Sequence, residues 1–121
     1  MSTHPEAMAP TSRKIIDAVC RAFDISNALI VGKCRKRHLV DARHAAAYLI
    51  RNHTHLSLNS IGRVLGGRHH AMIISGLREA DRLMDTDPEF LDMVRQARQY
   101  MIQPGSLVIR GVPSRINEMA Q

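Results

Sequence analysis

The sequence predicts an all-α fold, a compact bundle of about five helices. Its 121 residues are about the length of one domain, and 45% of them are hydrophobic, which is enough for a single modest core. With two Phe, two Tyr and no Trp, that core must be filled mainly by Leu, Ile, Val, Ala and Met, which suits packed helices better than a β-sandwich. Apolar residues also recur at helical spacing along most of the chain.

Two helical segments are predicted before a stretch of basic residues. The polar pair Thr11-Ser12 can cap a first helix that ends near Asp24, because either side chain can accept a hydrogen bond from the first turn. The apolar residues on one face of that helix are Ile15, Ile16, Val19 and Phe23. Ser26 can cap a short helical turn that Gly32 ends. Residues 33–37, Lys-Cys-Arg-Lys-Arg, are expected to follow as a basic loop.

Two further helices of unequal length are predicted next. Residues 39–52 are rich in strong helix formers and form a long helix that leaves Arg43 and Arg51 on its opposite or flanking face. After a polar break, Ser57 can cap a short helix with apolar side chains at core spacing. These side chains are Leu58, Ile61, Val64 and Leu65. Gly66-Gly67 interrupts the short helix after barely two turns.

The last two predicted helices complete the domain. One continues from the glycines until the acidic stretch near Asp85, and a final helix starts at Pro88, a residue suited to the first helical turn. A Gln-Pro-Gly sequence stops that helix. We therefore predict a flexible N-terminal arm at 1–11, one domain at 12–102 and a loosely held C-terminal tail at 103–121.

Charge is segregated along the chain. Residues 33–68 carry eight Lys or Arg and one acid, Asp41, whereas residues 79–92 carry six acids and one base, Arg82. The formal net charge of the whole chain is +6. A basic segment is commonly only a solvated surface, but such segregation favours a polyanionic partner, either a nucleic acid or an anionic membrane surface.

The cysteines and the hydropathy pattern exclude two cellular settings. Cys20 fits a helical apolar pattern and is expected in the core. Cys20 and Cys34 do not form a C-x-x-C pair, and nothing about them indicates the disulfide framework of a secreted protein. No apolar run is long enough to span a membrane, and the N-terminus lacks the apolar core of a signal peptide. We therefore expect a cytoplasmic, nucleoid-associated protein with no membrane partner.

Metal binding and catalysis are not expected either. The histidine pairs His53-x-His55 and His69-His70 lack the further, well-spaced ligands of a structural zinc site. No nucleophile elbow, paired-carboxylate motif or triad order indicates an enzyme. The sequence thus predicts no cofactor and no small-molecule substrate.

The residues around Gly66-Gly67 have the spacing of a helix-turn-helix, as in Trp-repressor-like folds, with the second helix longer than the first. In that motif the second helix lies in the major groove of duplex DNA with its leading residues at the base edges. Those residues are Arg68, His69, His70, Ala71 and Met72. An ordinary αα-hairpin has the same pattern and is commoner, so the preceding basic segment is what favours DNA binding.

Three motifs run through this region. They are Arg35-x-Arg37-x-x-Val40-x-Ala42-Arg43, then Tyr48-Leu49 with Thr54-x-x-Ser57-Leu58-x-x-Ile61-Gly62, and finally Gly66-Gly67-Arg68-x-His70. Together they resemble the C-terminal duplex-binding domain of the bacterial replication initiator DnaA. The similarity to that domain runs from about Ile15 to Phe90. The sequence has no G-x-x-x-x-G-K-[ST] phosphate loop and no room for an ATPase domain. We therefore expect a stand-alone DNA-binding domain without nucleotide-driven origin opening.

The resemblance implies a set of DNA contacts. An arginine of the basic loop enters the minor groove, and Arg35 stands at the matching position, with a solvated loop charge as the alternative. Arg43 and Arg51 match positions that send a basic side chain to the phosphate backbone, with a surface ion pair as the alternative. Thr54 and the start of the Ser57 helix can offer a hydroxyl and free N–H groups to a phosphate. The implied set is Arg35, Arg37, Arg43, His44, Arg51, Thr54, Ser57, Leu58, Asn59, Arg68, His69, His70, Ala71 and Met72.

The leading residues of the second helix depart from the family pattern. The family usually has Gly-Gly-Arg-Asp-His-Thr-Thr, where this chain has Gly-Gly-Arg-His-His-Ala-Met. A carboxylate accepts a hydrogen bond from the cytosine amino group, whereas His69 would donate to a purine or a phosphate, or accept if neutral. His70 keeps the family's residue, and Ala71 can still contact a thymine methyl group. We therefore expect DNA binding with an altered or relaxed site preference.

The resulting hypothesis is a non-enzymatic domain that binds double-stranded DNA through a helix in the major groove and Arg35 in the adjacent minor groove. It would regulate replication initiation or transcription, or act for a phage or mobile element. The alternative is a module that binds a replication initiator or its regulator through the acidic helix or the tail. RNA or single-stranded DNA is disfavoured because all four aromatic residues occupy predicted core positions. Neither the target sequence nor self-association follows from the residues.

Overall fold

Residues 11–102 are described in a computed structural model of the protein, and they form six α-helices. The helices are α1 (Ser12–Phe23), α2 (Asn27–Val31), α3 (Arg37–His53), α4 (Leu58–Val64), α5 (His70–Thr86) and α6 (Pro88–Ile102). This stretch contains no strand, so the all-α prediction is confirmed. The predicted turn after Ser26 is a helix of its own. Most of the predicted arm and the whole predicted tail at 103–121 lie outside the described residues.

None of the helices within residues 11–102 combines the length and the apolar character that a membrane crossing requires.

Helix α3 lies at the centre of the bundle and contacts each of the other five helices. Its inner positions carry small side chains that are almost completely buried. They are Ala42, Ala45, Ala46 and Ala47. Small side chains let neighbouring helices approach closely, so α1 and α5 can both pack against the same central helix. The larger Leu49 and Ile50, also fully buried, fill the space toward the C-terminal end of α3.

The composition correctly indicated which residues would fill the core. Phe23 and Phe90 are buried, and Tyr48 and Tyr100 are partly buried against the same cluster. Cys20 lies in this core as well, and burial raises the pKa of its thiol to about 11. The aromatic side chains therefore stabilise the bundle, and neither phenylalanine is available as a stacking platform for bases.

Three predicted helix caps are confirmed. In each, a hydroxyl oxygen accepts a hydrogen bond from a backbone N–H three residues later, which satisfies a donor that the first turn cannot pair internally. The pairs are Thr11 with Lys14 at 3.2 Å, Ser26 with Leu29 at 3.2 Å, and Ser57 with Ser60 at 3.1 Å. These caps fix the starting points of α1, α2 and α4.

Two helix starts differ from the prediction. Arg37, expected in the basic loop, lies in the first turn of α3, where it pairs with Asp41 one turn later at 3.3 Å. Such a pair at i,i+4 supports a helical first turn, so only residues 33–36 remain as the basic loop. Helix α5 begins at His70, with His69 as its N-cap and Arg68 outside the helix.

The turn between α4 and α5 depends on its two glycines. Gly66 and Gly67 both have positive φ, at 97° and 79°, a conformation that side chains disfavour. The N–H groups of Gly67 and Arg68 donate to the Gly62 carbonyl oxygen at 3.0 and 2.8 Å, which closes the turn. A Cβ on Gly66 would also overlap the carbonyl oxygen of Val31, whereas a Cβ on Gly67 would meet open space.

The two glycines give a matched pair of variants. Gly67→Ala should cost about 1–2 kcal/mol, because only the left-handed backbone is penalised. Gly66→Ala should cost about 3 kcal/mol or more, since the overlap with Val31 forces α2 and the turn apart in addition. Urea unfolding followed by circular dichroism measures both values. Equal losses would show that α2 does not press against this turn.

Candidate nucleic-acid interface

A cleft of about 740 Å³ opens between the basic loop, α3 and the start of α5. The basic loop contributes Lys33 and Arg35, and the α4–α5 turn contributes the glycines and Arg68. Further lining side chains from α3 and α5 are Val40, Arg43, His44, Ala47, His69, Met72 and Ile73. The cleft thus brings together the two segments that the sequence assigned to DNA, although more than 30 residues separate them in the chain.

Arg43 lies on the inner side of this cleft and is buried, with 8% of its surface exposed. Its guanidinium donates hydrogen bonds to four backbone carbonyl oxygens at the end of α2 and in the loop that follows. The acceptors are Ile30 at 2.7 Å, Cys34 at 2.7 Å, Leu29 at 3.0 Å and Gly32 at 3.0 Å. Four of the five N–H donors of the guanidinium are therefore engaged inside the protein.

Arg68 joins the same group of carbonyl oxygens from the other side. Its guanidinium donates to Gly32 at 2.5 Å, to Val31 at 3.5 Å and to Leu65 of the neighbouring helix end. We call Arg43, Arg68 and their carbonyl partners at residues 29–34 the arginine–carbonyl cluster. Burial lowers the pKa of Arg43, and the nearby charge of Arg68 lowers it further.

The burial of Arg43 corrects its predicted place on the opposite or flanking face of α3, while its role in DNA binding remains a prediction. The sequence predicts that Arg43 reaches the phosphate backbone from the flanking face of the helix, with a surface ion pair as the alternative. Both interpretations require an exposed side chain, whereas the side chain of Arg43 is buried. One signal is present in the sequence. Leu39, Arg43, Ala46 and Ile50 recur at intervals of three or four residues, so the helical period that marks the apolar neighbours also places Arg43 on the inner face.

The exposed cations lie around the cleft and on α3. Lys33, Arg35 and Lys36 of the basic loop are exposed, as is Arg51 in the last turn of α3. The Arg37 side chain is 74% exposed, and its surface pair with Asp41 is of the weak kind that solvent screens. Arg35 is the one exposed arginine of the basic loop, at the position expected to enter the minor groove.

The polar residues before and within α4 are used by the fold. The Thr54 hydroxyl donates to the Ile50 carbonyl oxygen at 2.7 Å, and the Ser57 hydroxyl pairs with Ser60 at 3.1 Å. Each hydroxyl proton is engaged within the fold, and a contact of Thr54 or of the start of the Ser57 helix with a phosphate remains a prediction. Leu58 is partly buried against the core, and Asn59 is exposed in the first turn of α4. Their contacts with DNA remain a prediction.

The start of α5 presents a group of exposed side chains. They are His69, His70, Ala71 and Met72, the last with 55% of its surface exposed. Nδ1 of His69 accepts a hydrogen bond from the Ala71 N–H at 3.1 Å, so the ring caps the helix. The sequence does not predict this cap, because the expected start of α5 precedes it. A signal exists in the departure at position 69, since a histidine nitrogen can act as an acceptor like an aspartate oxygen.

His44 occupies the seam between α3 and α5. It is half-buried, and a Cβ on Gly76 would lie 2.9 Å from its Nδ1, so the absence of a side chain at that position makes room for the ring. Burial lowers the pKa of His44, which keeps the imidazole neutral at physiological pH. Its place between helices is that of a packing residue which also lines the cleft.

Comparison with known proteins decides the family. Residues 12–79 match the family model described as the bacterial DnaA protein helix-turn-helix. The chain belongs to that family. It is 33% identical over 98 residues to the chromosomal replication initiator protein DnaA of Bacteroides thetaiotaomicron, an alignment that covers 81% of this chain and 21% of the relative. The DnaA protein of Neisseria meningitidis is 39% identical over 79 residues, which cover 65% of this chain and 15% of the relative.

The match places the cleft inside the DnaA family domain. The matched residues include the basic loop, the arginine–carbonyl cluster, the turn and the start of α5, and they end at Glu79. Most of the acidic stretch predicted from the sequence follows that point. The chain spans about a fifth of the length of the curated DnaA relatives it matches.

Substitutions of Arg43 and Arg51 form a matched pair that tests which of these two arginines stabilises the fold. Arg43→Ala should lower the free energy of unfolding by about 3 kcal/mol or more, because it removes four hydrogen bonds from a buried guanidinium to backbone carbonyl oxygens. Arg51→Ala should change it by less than about 0.5 kcal/mol, since that side chain is exposed. Chemical denaturation measures both values. A small effect at Arg43 would show that water replaces its hydrogen bonds.

Proposed function

We propose that this chain binds double-stranded DNA sequence-specifically through its helix-turn-helix, in the regulation of replication initiation or of transcription, and with a site preference altered from that of its family. The observation that supports this most directly is the cleft. Its rims are the exposed basic loop with Arg35 and the exposed start of α5 with His69 and Met72. The relatives carry the name chromosomal replication initiator protein.

The shape of duplex DNA explains why a cleft suits this task. One sugar–phosphate strand separates each major groove from the adjacent minor groove, so a protein that enters both grooves must straddle that strand. In our proposal α5 enters the major groove, Arg35 enters the minor groove, and the strand between them lies over the cleft. Arg43 and Arg68 then act on the phosphates through their charge and not through direct contact.

The hydrogen-bond partners of Arg43 and Arg68 strengthen this electrostatic role. All their hydrogen-bond acceptors in the described structure are backbone carbonyl oxygens. A carbonyl satisfies an N–H donor without cancelling its charge, whereas a carboxylate would neutralise it. The cleft therefore keeps a positive charge that attracts phosphate, and the exposed Lys33, Arg37 and Arg51 add to it.

The acidic residues orient the domain on DNA. Asp81, Asp85, Glu89 and Asp92 are exposed on the later part of α5 and the first half of α6. They repel phosphates, so the domain can approach DNA favourably only with its basic side. The second candidate function uses the same acidic surface. A module that binds a replication initiator or its regulator would present these carboxylates to a basic partner and would not need DNA.

Salt dependence tests DNA binding and separates the two functions. If five or six cations contact phosphates, the logarithm of the affinity should fall with the logarithm of salt at a slope of roughly −5. Arg35→Ala should weaken binding about ten-fold. Arg82→Ala, which removes the same charge from the acidic side, should change it less than about two-fold. Fluorescence anisotropy with a labelled duplex measures all three, and a slope near zero would refute DNA binding in favour of the protein-interaction module.

Selection of bound sequences from random duplexes tests the altered preference. We expect enriched sites that differ from the family's own DnaA box, because the side chains at 69, 71 and 72 present different groups to the bases than the family pattern does. The DnaA box serves as a reference competitor in the same experiment. Enrichment of the unaltered box as the sole winner would contradict the altered preference while leaving DNA binding intact.

A further inference from the structure

We propose that His69 is a specificity-determining residue that reads DNA as a hydrogen-bond donor. Its Nε2–H group would donate to an acceptor on a base edge in the major groove, such as guanine O6 or a purine N7. The base at that position would then be selected for an acceptor, and an exposed amino group such as cytosine N4 would be rejected. This inference rests on the proposed function, because it names the chemistry that the recognition helix reads.

The helix cap fixes which nitrogen carries the proton. His69 is the N-cap of α5, and its Nδ1 accepts the Ala71 N–H at 3.1 Å. A nitrogen that accepts a hydrogen bond has no proton of its own, so a neutral ring must carry its proton on Nε2. Nε2 is on the far side of the ring from the cap. The capping bond thus turns a residue that could donate or accept into one whose free nitrogen only donates.

The backbone at this position also suits the cap. The backbone of residue 69 is extended, with φ −67° and ψ 148°, as an N-cap requires. The backbone therefore keeps Nδ1 at the cap and leaves Nε2 directed away from it.

The ring is also held in place by its neighbour. The centroids of the His69 and His70 rings lie 4.4 Å apart, with an angle of 30° between their planes. At this spacing the two tilted rings are in contact. The cap on one side and contact with the His70 ring on the other leave the imidazole less rotational freedom than an ordinary exposed side chain has. A donor held in this way loses little entropy when it meets a base.

Arg68, the other residue that could read a base here, is engaged elsewhere. Its guanidinium donates to the carbonyl oxygens of Gly32 and Val31 in the arginine–carbonyl cluster, and also to that of Leu65. A bidentate contact with guanine would require breaking those bonds. Arg68 also precedes the helix, whereas His69 is exposed at its N-cap. The first free donor at the start of α5 is therefore His69 and not the arginine.

The substitutions His69→Asp and His69→Asn test the polarity of this contact. Both new residues are good N-caps, so the start of α5 is retained in each. They have nearly the same size and differ in the group directed away from the cap, which is an acceptor oxygen in Asp and a donor amide in Asn. Any difference between the two variants in base preference thus reports hydrogen-bond polarity and not loss of folding.

The experiment selects bound sequences from random duplexes for the wild type and both variants, with circular dichroism to verify helix content. We expect the wild type and His69→Asn to select an acceptor-bearing base at the same position, and His69→Asp to select a base with an amino group there. In competition assays, His69→Asp should lose about ten-fold in affinity for the wild-type site, and His69→Asn about two-fold.

The outcomes separate this inference from the function on which it rests. If all three proteins select the same base at every position, His69 does not read DNA and the inference is overturned, while DNA binding stands. The inference is also overturned if both variants change the preference in the same way, because polarity is then not what is read. If the wild type retains no duplex in a salt-sensitive manner, the proposed function itself fails.

Discussion

The arginine–carbonyl cluster is the interaction on which the rest of the site depends. A helix end leaves its last carbonyl oxygens without backbone donors. The loop that follows α2 has no regular secondary structure whose N–H groups could pair with them. Arg43 from the central helix and Arg68 from the α4–α5 turn supply those donors together. Three segments are thus joined at one point: the basic loop, α3, and the turn that positions α5. Both rims of the cleft take their positions from it, because Arg35 follows Cys34, whose carbonyl Arg43 binds, and His69 follows Arg68.

Arg43 is buried and Arg68 is partly buried, and this loss of solvent is costly and lowers the pKa of both. A fold that needed only rigidity could replace them with apolar side chains of similar volume. Arginine does two things here that an apolar side chain cannot. Its planar fork reaches several carbonyl oxygens at once, and its charge remains uncancelled beneath the surface where a phosphate would pass. The same side chains therefore stabilise the cleft and would attract a polyanion to it, which accounts for arginine at these two positions.

Whether a feature of this structure can be predicted from the sequence depends on how far apart in the chain the interacting residues lie. The apolar spacing and the hydroxyl caps at Thr11, Ser26 and Ser57 are local, and they predict the helices and most of their starting points. The partners of Arg43 lie 9 to 14 residues away, and Arg68 meets Gly32 across 36 residues. No local pattern tells which carbonyl oxygens will lack donors until the helices are packed together. A charged side chain such as that of Arg43 is therefore predicted at the surface from the sequence, although the helical period places Arg43 on the inner face of α3. The cap at His69 escapes prediction for a different reason, since the expected helix start lies about one turn too early.

The division of labour among these residues explains how a site preference can change while the fold is retained. The side chains that hold the cleft, Arg43 and Arg68, have their donors directed inward. The side chains that would meet the bases are exposed, so most substitutions among them cost the fold little. Position 69 is the exception, because its side chain must accept the Ala71 N–H and face the DNA as well. Only residues with an acceptor close to the backbone meet the first requirement, and each of them presents a different second group. A change at this single position can therefore alter what is read without disturbing where the helix begins.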